Sequence, residues 1–151
     1  MATASKTQGE ALEVRRTFAA PRERVFQAWT APEELKRWAG PGPMTAPVAE
    51  VDLRVGGRYR IHMRDPQGTE HRVIGEYREV DPPRRLVYTW TWETNPLVTD
   101  SIVTVEFHER GAATEVVLRH EGLPSVESRD RHSSGWTQCL EKLGTVVPPS
   151  R

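Results

Sequence analysis

Five histidines and one cysteine are the side chains of this 151-residue chain best placed, by type, to do chemistry near neutral pH. His62, His71, His108, His120 and His132 have no metal-like spacing, and a single cysteine cannot anchor a zinc site. Cys139 falls among apolar residues at helical spacing, with no base beside it in sequence, and reads as a small core residue. No serine sits in a nucleophile-elbow context. Val55-Gly56-Gly57-Arg58 lacks the following helix that a phosphate-cradling loop needs. Glu50 and Asp52 could make a paired acid site, but they read more simply as surface charge, with Asp52 bonded to Arg54 or to turn amides. That leaves His120, at the inner side of a strand end after Leu118, and His132, on a helix face turned toward the sheet. Either could orient a ligand, or move a proton if the protein were an enzyme. No nucleophile, base and orienter come together, so the reading leans to non-enzymatic binding with no cofactor.

The elements that must place these residues are legible from period and punctuation. His132, Trp136, Cys139, Leu140, Leu143 and Val147 recur at the spacing of one helical face. Ser125 can cap that helix and Pro148-Pro149 must end it, which predicts a helix over 125–147. Upstream, Tyr59, Ile61 and Met63 alternate with Arg58, Arg60 and His62. Leu86, Tyr88, Trp90 and Trp92 share one face of another strand. Val103, Val105 and Phe107 do so in a third, and Thr114, Val116, Leu118 and His120 in a fourth. Thr45 to Leu53 reads as an edge strand because Pro47 cannot donate to a ladder. Leu12 to Phe18 reads as a first strand in which Arg16 breaks the apolar pattern. Two short helices follow it, one opened by Pro21 with Val25, Phe26 and Trp29 inward, and one opened by Pro32 with Leu35 and Trp38 inward. Gly40-Pro41-Gly42-Pro43 stops the second. Short Gly/Pro turns make the strands antiparallel neighbours, so the fold class is α+β: a curved antiparallel sheet of about six strands gripping a long C-terminal helix.

Five tryptophans in so short a chain are more than a tight core accommodates easily, given their size and their N–H groups. A bent sheet is also hard to fill from one helix. These side chains could form a plain packed core; the cavity, expected mainly from the family resemblance given below, is lined by Trp38, Tyr59, Ile61, Met63, Tyr88, Trp90, Trp92, Val103, Val105, Phe107, Leu118, His120, His132, Gly135 and Trp136. Gly135, inside the helix, costs about 1 kcal/mol relative to alanine, which implies close approach of sheet or ligand to the backbone there.

Equal numbers of basic and acidic residues, 21 of each, argue against a nucleic-acid partner. No apolar run nears the roughly 18 residues of a membrane span. Residues 1–9 are polar, without a secretory h-region, and read as a disordered lead-in. Residues 10–147 read as one domain and 148–151 as a tail. The expected setting is cytoplasmic.

Several stretches together resemble one family. They are the run from Ala20 to Trp38 (APRERVFQAWTAPEELKRW), Asp52-Leu53-Arg54-Val55-Gly56-Gly57-Arg58-Tyr59, Gly75-Glu76-Tyr77, Pro83-Arg84-Arg85-Leu86-Val87-Tyr88-Thr89-Trp90, Gly122-Leu123-Pro124 and Gly135-Trp136. In this order they are similar to the START-like (SRPBCC) superfamily, in its Activator of Hsp90 ATPase homologue 1-like branch. The resemblance implies a helix-grip fold with a cavity between sheet and C-terminal helix. It also implies a choice of roles: a binder of a small hydrophobic molecule, a cyclase- or aromatase-type enzyme using the same cavity, or an Hsp90-activator-like module with a protein partner or as a homodimer. The first is the expectation here. The outer-face Arg58, Arg60 and His62, with Arg72 and Arg78, are the candidate basic stripe for the last.

Overall fold

The computed structural model describes residues 9–95 and 97–147. The expected tails at 1–9 and 148–151 lie outside the described residues, apart from Gly9. The element order is β1 (Glu10–Phe18), α1 (Arg22–Thr30), α2 (Pro32–Trp38), β2 (Thr45–Val51), β3 (Arg58–Arg64), β4 (Glu70–Asp81), β5 (Arg85–Trp92), β6 (Ser101–Arg110), β7 (Ala113–Leu123) and α3 (Val126–Val146). All seven strands form one antiparallel sheet in the order β1-β7-β6-β5-β4-β3-β2. The sheet has one strand more than the expected six or so, and the Pro47 segment pairs as read. It does so as an edge strand, with a register shift between Thr45 and Val48, where a missing N–H is tolerated.

Helix α3 starts where its cap predicts. The Ser125 side chain accepts from the Ser128 N–H at 3.0 Å. Its buried residues, Ser128, Trp136, Cys139, Leu140, Leu143 and Val146, form the stripe that lies over the sheet. The helix packs against β1 and α2 and stands off from β3, β4 and β5. Helix α1 lies against β6 and β7, and α2 lies against β2 and α3. Arg24 fastens this corner, donating to Glu34 of α2 at 2.6 Å and to the Val146 carbonyl at the end of α3 at 3.1 Å.

Arg16, which interrupts the apolar alternation of β1, is exposed. It lies over the Phe18 ring, 5.8 Å from its centroid, beside Gly144 of α3. Gly75 of β4 is required by packing. A Cβ there would lie 2.0 Å from the Thr89 carbonyl oxygen and 2.5 Å from the Tyr59 ring. Tyr59 pairs across Gly75 and donates its hydroxyl to that same Thr89 carbonyl. The missing side chain therefore lets β3, β4 and β5 bend together over one aromatic ring.

Candidate functional site

The stand-off between α3 and β3–β5 leaves a cavity of about 520 Å³. All five tryptophans (Trp29, Trp38, Trp90, Trp92, Trp136) and all three tyrosines (Tyr59, Tyr77, Tyr88) line it. Ile61 and Met63 of β3 extend the apolar wall, and Leu35, Ala39, Gly40, Pro41 and Met44 close one side. The last three belong to the loop after α2. Lys142 of α3 holds that loop, its ammonium donating to the carbonyls of Gly40 at 2.6 Å, Met44 at 2.9 Å and Gly42 at 3.3 Å. His71, Thr94, Asn95, Arg131, His132, Gly135 and Cys139 complete the lining.

Hydrogen bonds account for most polar atoms of this wall, and the accounting fixes two tautomers. Trp136 Nε1 donates to His120 Nδ1 at 3.1 Å. Ser101 Oγ donates to the Trp90 carbonyl at 2.8 Å, so at its 2.8 Å contact with His120 Nε2 it is the acceptor. His120 is therefore the neutral Nε2–H tautomer with both nitrogens engaged. Trp92 Nε1 donates to His132 Nε2 at 2.9 Å, and His132 Nδ1–H donates to the Ser128 carbonyl at 2.7 Å. His132 is the neutral Nδ1–H tautomer, also fully engaged. Burial holds both below the ordinary value of 6.5, His120 far below it; His132 adds to the effect at His120, and Arg131 adds to it at His132. Trp29 Nε1 donates to Tyr88 Oη at 3.2 Å and Trp38 Nε1 to the Ala28 carbonyl at 2.8 Å. Trp90 is the exception. Its Nε1 is buried and, among the described residues, has no partner.

Ten of the expected lining residues come together here: Trp38, Tyr59, Ile61, Met63, Tyr88, Trp90, Trp92, His132, Gly135 and Trp136. Five do not. Val103, Val105, Phe107 and Leu118 are buried in solid core under the other part of the sheet, and His120 sits fully buried behind the cavity wall. Strand alternation places these residues on the correct face, but it does not say which strands α3 touches. The acid/base role considered for His120 and His132 meets a physical obstacle, since neither ring has a free nitrogen for a ligand. Gly135 borders the cavity, but its neighbour is the loop and not the sheet: a Cβ there would meet Pro41 Cγ at 3.7 Å, an ordinary contact.

Sequence reasoning missed Trp29, Tyr77, Arg131 and the clamp residue Lys142. Arg131 and Lys142 had a usable signal, being spaced at 131, 135, 139 and 142 on the helix face that carries Gly135 and Cys139. Glu50 and Asp52 make no acid pair. Asp52 binds Arg54 Nε at 2.9 Å, and Glu50 lies 3.8 Å from Arg60. In the proposed basic stripe Arg72 pairs with Glu70 and Glu93, and Arg78 with Glu76, so most of its charge is cancelled locally. Cys139, its thiol pushed up to about 11 by burial, is not a poised nucleophile. Among the described residues no three His, Cys, Asp or Glu side chains gather as a metal site. No helix of the described residues is long and apolar enough to cross a membrane.

The sequence signature of the Activator of Hsp90 ATPase homolog 1-like protein family matches residues 19–147. The chain belongs to that family. Its helix-grip architecture is shared by a Chromobacterium violaceum protein of 29% identity, with a TM-score of 0.83 over 93% of this chain and 98% of that one. The AHSA1 protein of Silicibacter pomeroyi, 28% identical, gives a TM-score of 0.79 over 90% of this chain and 96% of that one. In Homo sapiens the Activator of 90 kDa heat shock protein ATPase homolog 1 is 23% identical over 125 residues, 83% of this chain. The match covers only 33% of that human protein's length.

Proposed function

We propose that this family member binds a small, largely apolar molecule in the cavity between β3–β5 and α3, without covalent chemistry. The observation that carries the reading is the composition of the wall: every tryptophan and tyrosine of the chain around about 520 Å³, with Arg131 the single formally charged residue among the described lining. A volume within the roughly 300–1,000 Å³ range of small-molecule sites fits one polycyclic or branched ligand. Apolar area leaving water supplies about 25 cal/mol per Å², set against the ordering of the ligand. The engaged nitrogens of His120 and His132 favour binding over acid/base chemistry. Native mass spectrometry of freshly purified protein tests it. A co-purified small molecule that is lost from a Gly135→Leu variant supports the reading. Protein that arrives bare and takes up none of a panel of hydrophobic compounds overturns it.

A second reading, docking on a chaperone, draws on the human relative, an activator of a 90 kDa heat shock protein ATPase. Stimulation of a 90 kDa heat shock protein's ATPase by this domain would support it, and no stimulation at saturating domain would remove it.

A further inference from the structure

The cavity's charge inventory is one-sided. None of its lining residues among the described ones is Asp or Glu. Arg131 lines it, is exposed, and among the described residues has no ion-pair or hydrogen-bond partner. That is unusual in a chain of zero net charge whose other cations are mostly paired, as Arg24, Arg72, Arg85 and Arg129 are. Glu127, one helical turn before Arg131, is not within ion-pairing distance of it. Asp65, the carboxylate bonded to the lining residue His71, is engaged locally: it accepts from His71 Nε2 at 3.1 Å and from the backbone N–H groups of Gln67 and Thr69. Deeper in, Trp90 is 95% buried, and its Nε1–H has no acceptor among the described residues. The exposed Arg131 guanidinium and the buried Trp90 Nε1–H are both donors.

Resting on the apolar-ligand reading above, we propose that this cavity selects amphipathic acids. A ring-bearing apolar body packs among the tryptophans, and a carboxylate at the mouth is held by the Arg131 guanidinium. The guanidinium presents paired N–H donors that match a carboxylate in geometry and charge. A hydrogen-bond acceptor on the body meets Trp90 Nε1–H, relieving a buried donor that otherwise goes without a partner. A cationic head would find no counter-charge in the lining and would face Arg131, so amines are rejected by repulsion and not only left unrewarded.

Pyrenebutyrate and pyrenebutanol share a body and differ in the head. Titrated into wild-type protein at low salt, the acid should bind roughly five- to tenfold tighter than the alcohol, an interval set by a part-exposed Arg–carboxylate pair. Arg131→Gln should bring the two to parity by weakening the acid alone, and Arg131→Glu should reverse the order. High salt should narrow the wild-type gap. Arg131 is exposed, so an unchanged melting temperature checks that both variants fold. Equal affinity of acid and alcohol in wild type, with both binding, overturns the acid preference and leaves the apolar cavity standing. Failure of both probes to bind overturns the cavity reading and this inference with it.

Discussion

The layer between sheet and α3 has two unlike ends. Over β6, β7 and β1 it is solid, filled by Phe18, Phe26, Val103, Val105, Phe107, Leu118, Leu140 and Leu143, all buried. Over β3, β4 and β5 it is hollow, and its wall is built from tryptophan and tyrosine. All three phenylalanines of the chain fall outside the cavity lining and all tryptophans and tyrosines fall within it. Side chains without polar atoms interdigitate to high density and need no partner. Tryptophan and tyrosine bring an N–H or O–H that must be satisfied, and here Tyr88 Oη, the Ala28 carbonyl, His132 Nε2 and His120 Nδ1 accept from the indoles of Trp29, Trp38, Trp92 and Trp136 in turn, leaving only Trp90 without a partner among the described residues. The polar groups brace a wall that has empty space on one side. The difference between the ends is therefore chemical as well as volumetric.

Substitution at the solid end should break stability and spare binding. Phe107→Ala removes a fully buried ring that meets Phe26 at 5.3 Å and Trp29 at 5.7 Å. It should cost about 3–5 kcal/mol by chemical denaturation, with ligand affinity changed only in proportion to the folded fraction. Trp136→Ala belongs to both ends. It should destabilise by a similar amount, about 3–5 kcal/mol, because it also leaves His120 Nδ1 without its donor, and it should abolish probe binding as well. An equal loss of binding in the two variants at matched folded fraction would erase the distinction.

Acid should act through the braced wall. His120 and His132 are held neutral below their ordinary value of 6.5. Above that pH neither the folded nor the unfolded chain holds these protons, and stability is flat. Below it the unfolded chain takes them up and the folded chain does not, so stability falls as pH falls. Each histidine can contribute up to about 1.4 kcal/mol per pH unit. Urea midpoints at pH 7.5, 6.5 and 5.5 should show the loss beginning near 6.5, with His120 dominant because its value lies furthest below the ordinary one. A midpoint that rises toward pH 5.5 would mean the histidines gain protons on folding and are not engaged as described.

These two expectations also mark what was legible beforehand. The helix, its Ser125 cap, the two small helices and each strand follow from period and turn chemistry, which are local. The antiparallel order follows from short connections. What could not be read was where along the sheet α3 makes contact, because that depends on Arg24 tying α1 to the end of α3 and on Lys142 tying the loop after α2 to its last turns. Those are contacts between residues about a hundred or more positions apart. Val103, Val105, Phe107 and Leu118 were assigned to the cavity by alternation alone and belong to the solid end for this reason. His120 was legible as inward but not as locked, since its partners Ser101 and Trp136 come from a different strand and from the helix.

A smaller effect sharpens the contrast at Gly135. Alanine there finds Pro41 Cγ at an ordinary 3.7 Å and gains helix propensity. Gly135→Ala should therefore raise stability by about 0.5–1 kcal/mol while weakening probe binding, since its methyl projects at the cavity lining. Loss of stability together with unchanged binding would place Gly135 against packed protein.

The most direct test of a hollow aromatic end uses its own tryptophans. Because all five line the cavity, a pyrene probe seated there lies close to every indole of the protein. Titration into wild-type protein should quench nearly all tryptophan emission, saturably and at a one-to-one stoichiometry, and Gly135→Leu should weaken that quenching without lowering the melting temperature. Saturable binding that leaves most of the emission intact, or quenching that Gly135→Leu does not alter, would contradict a ligand site between β3–β5 and α3.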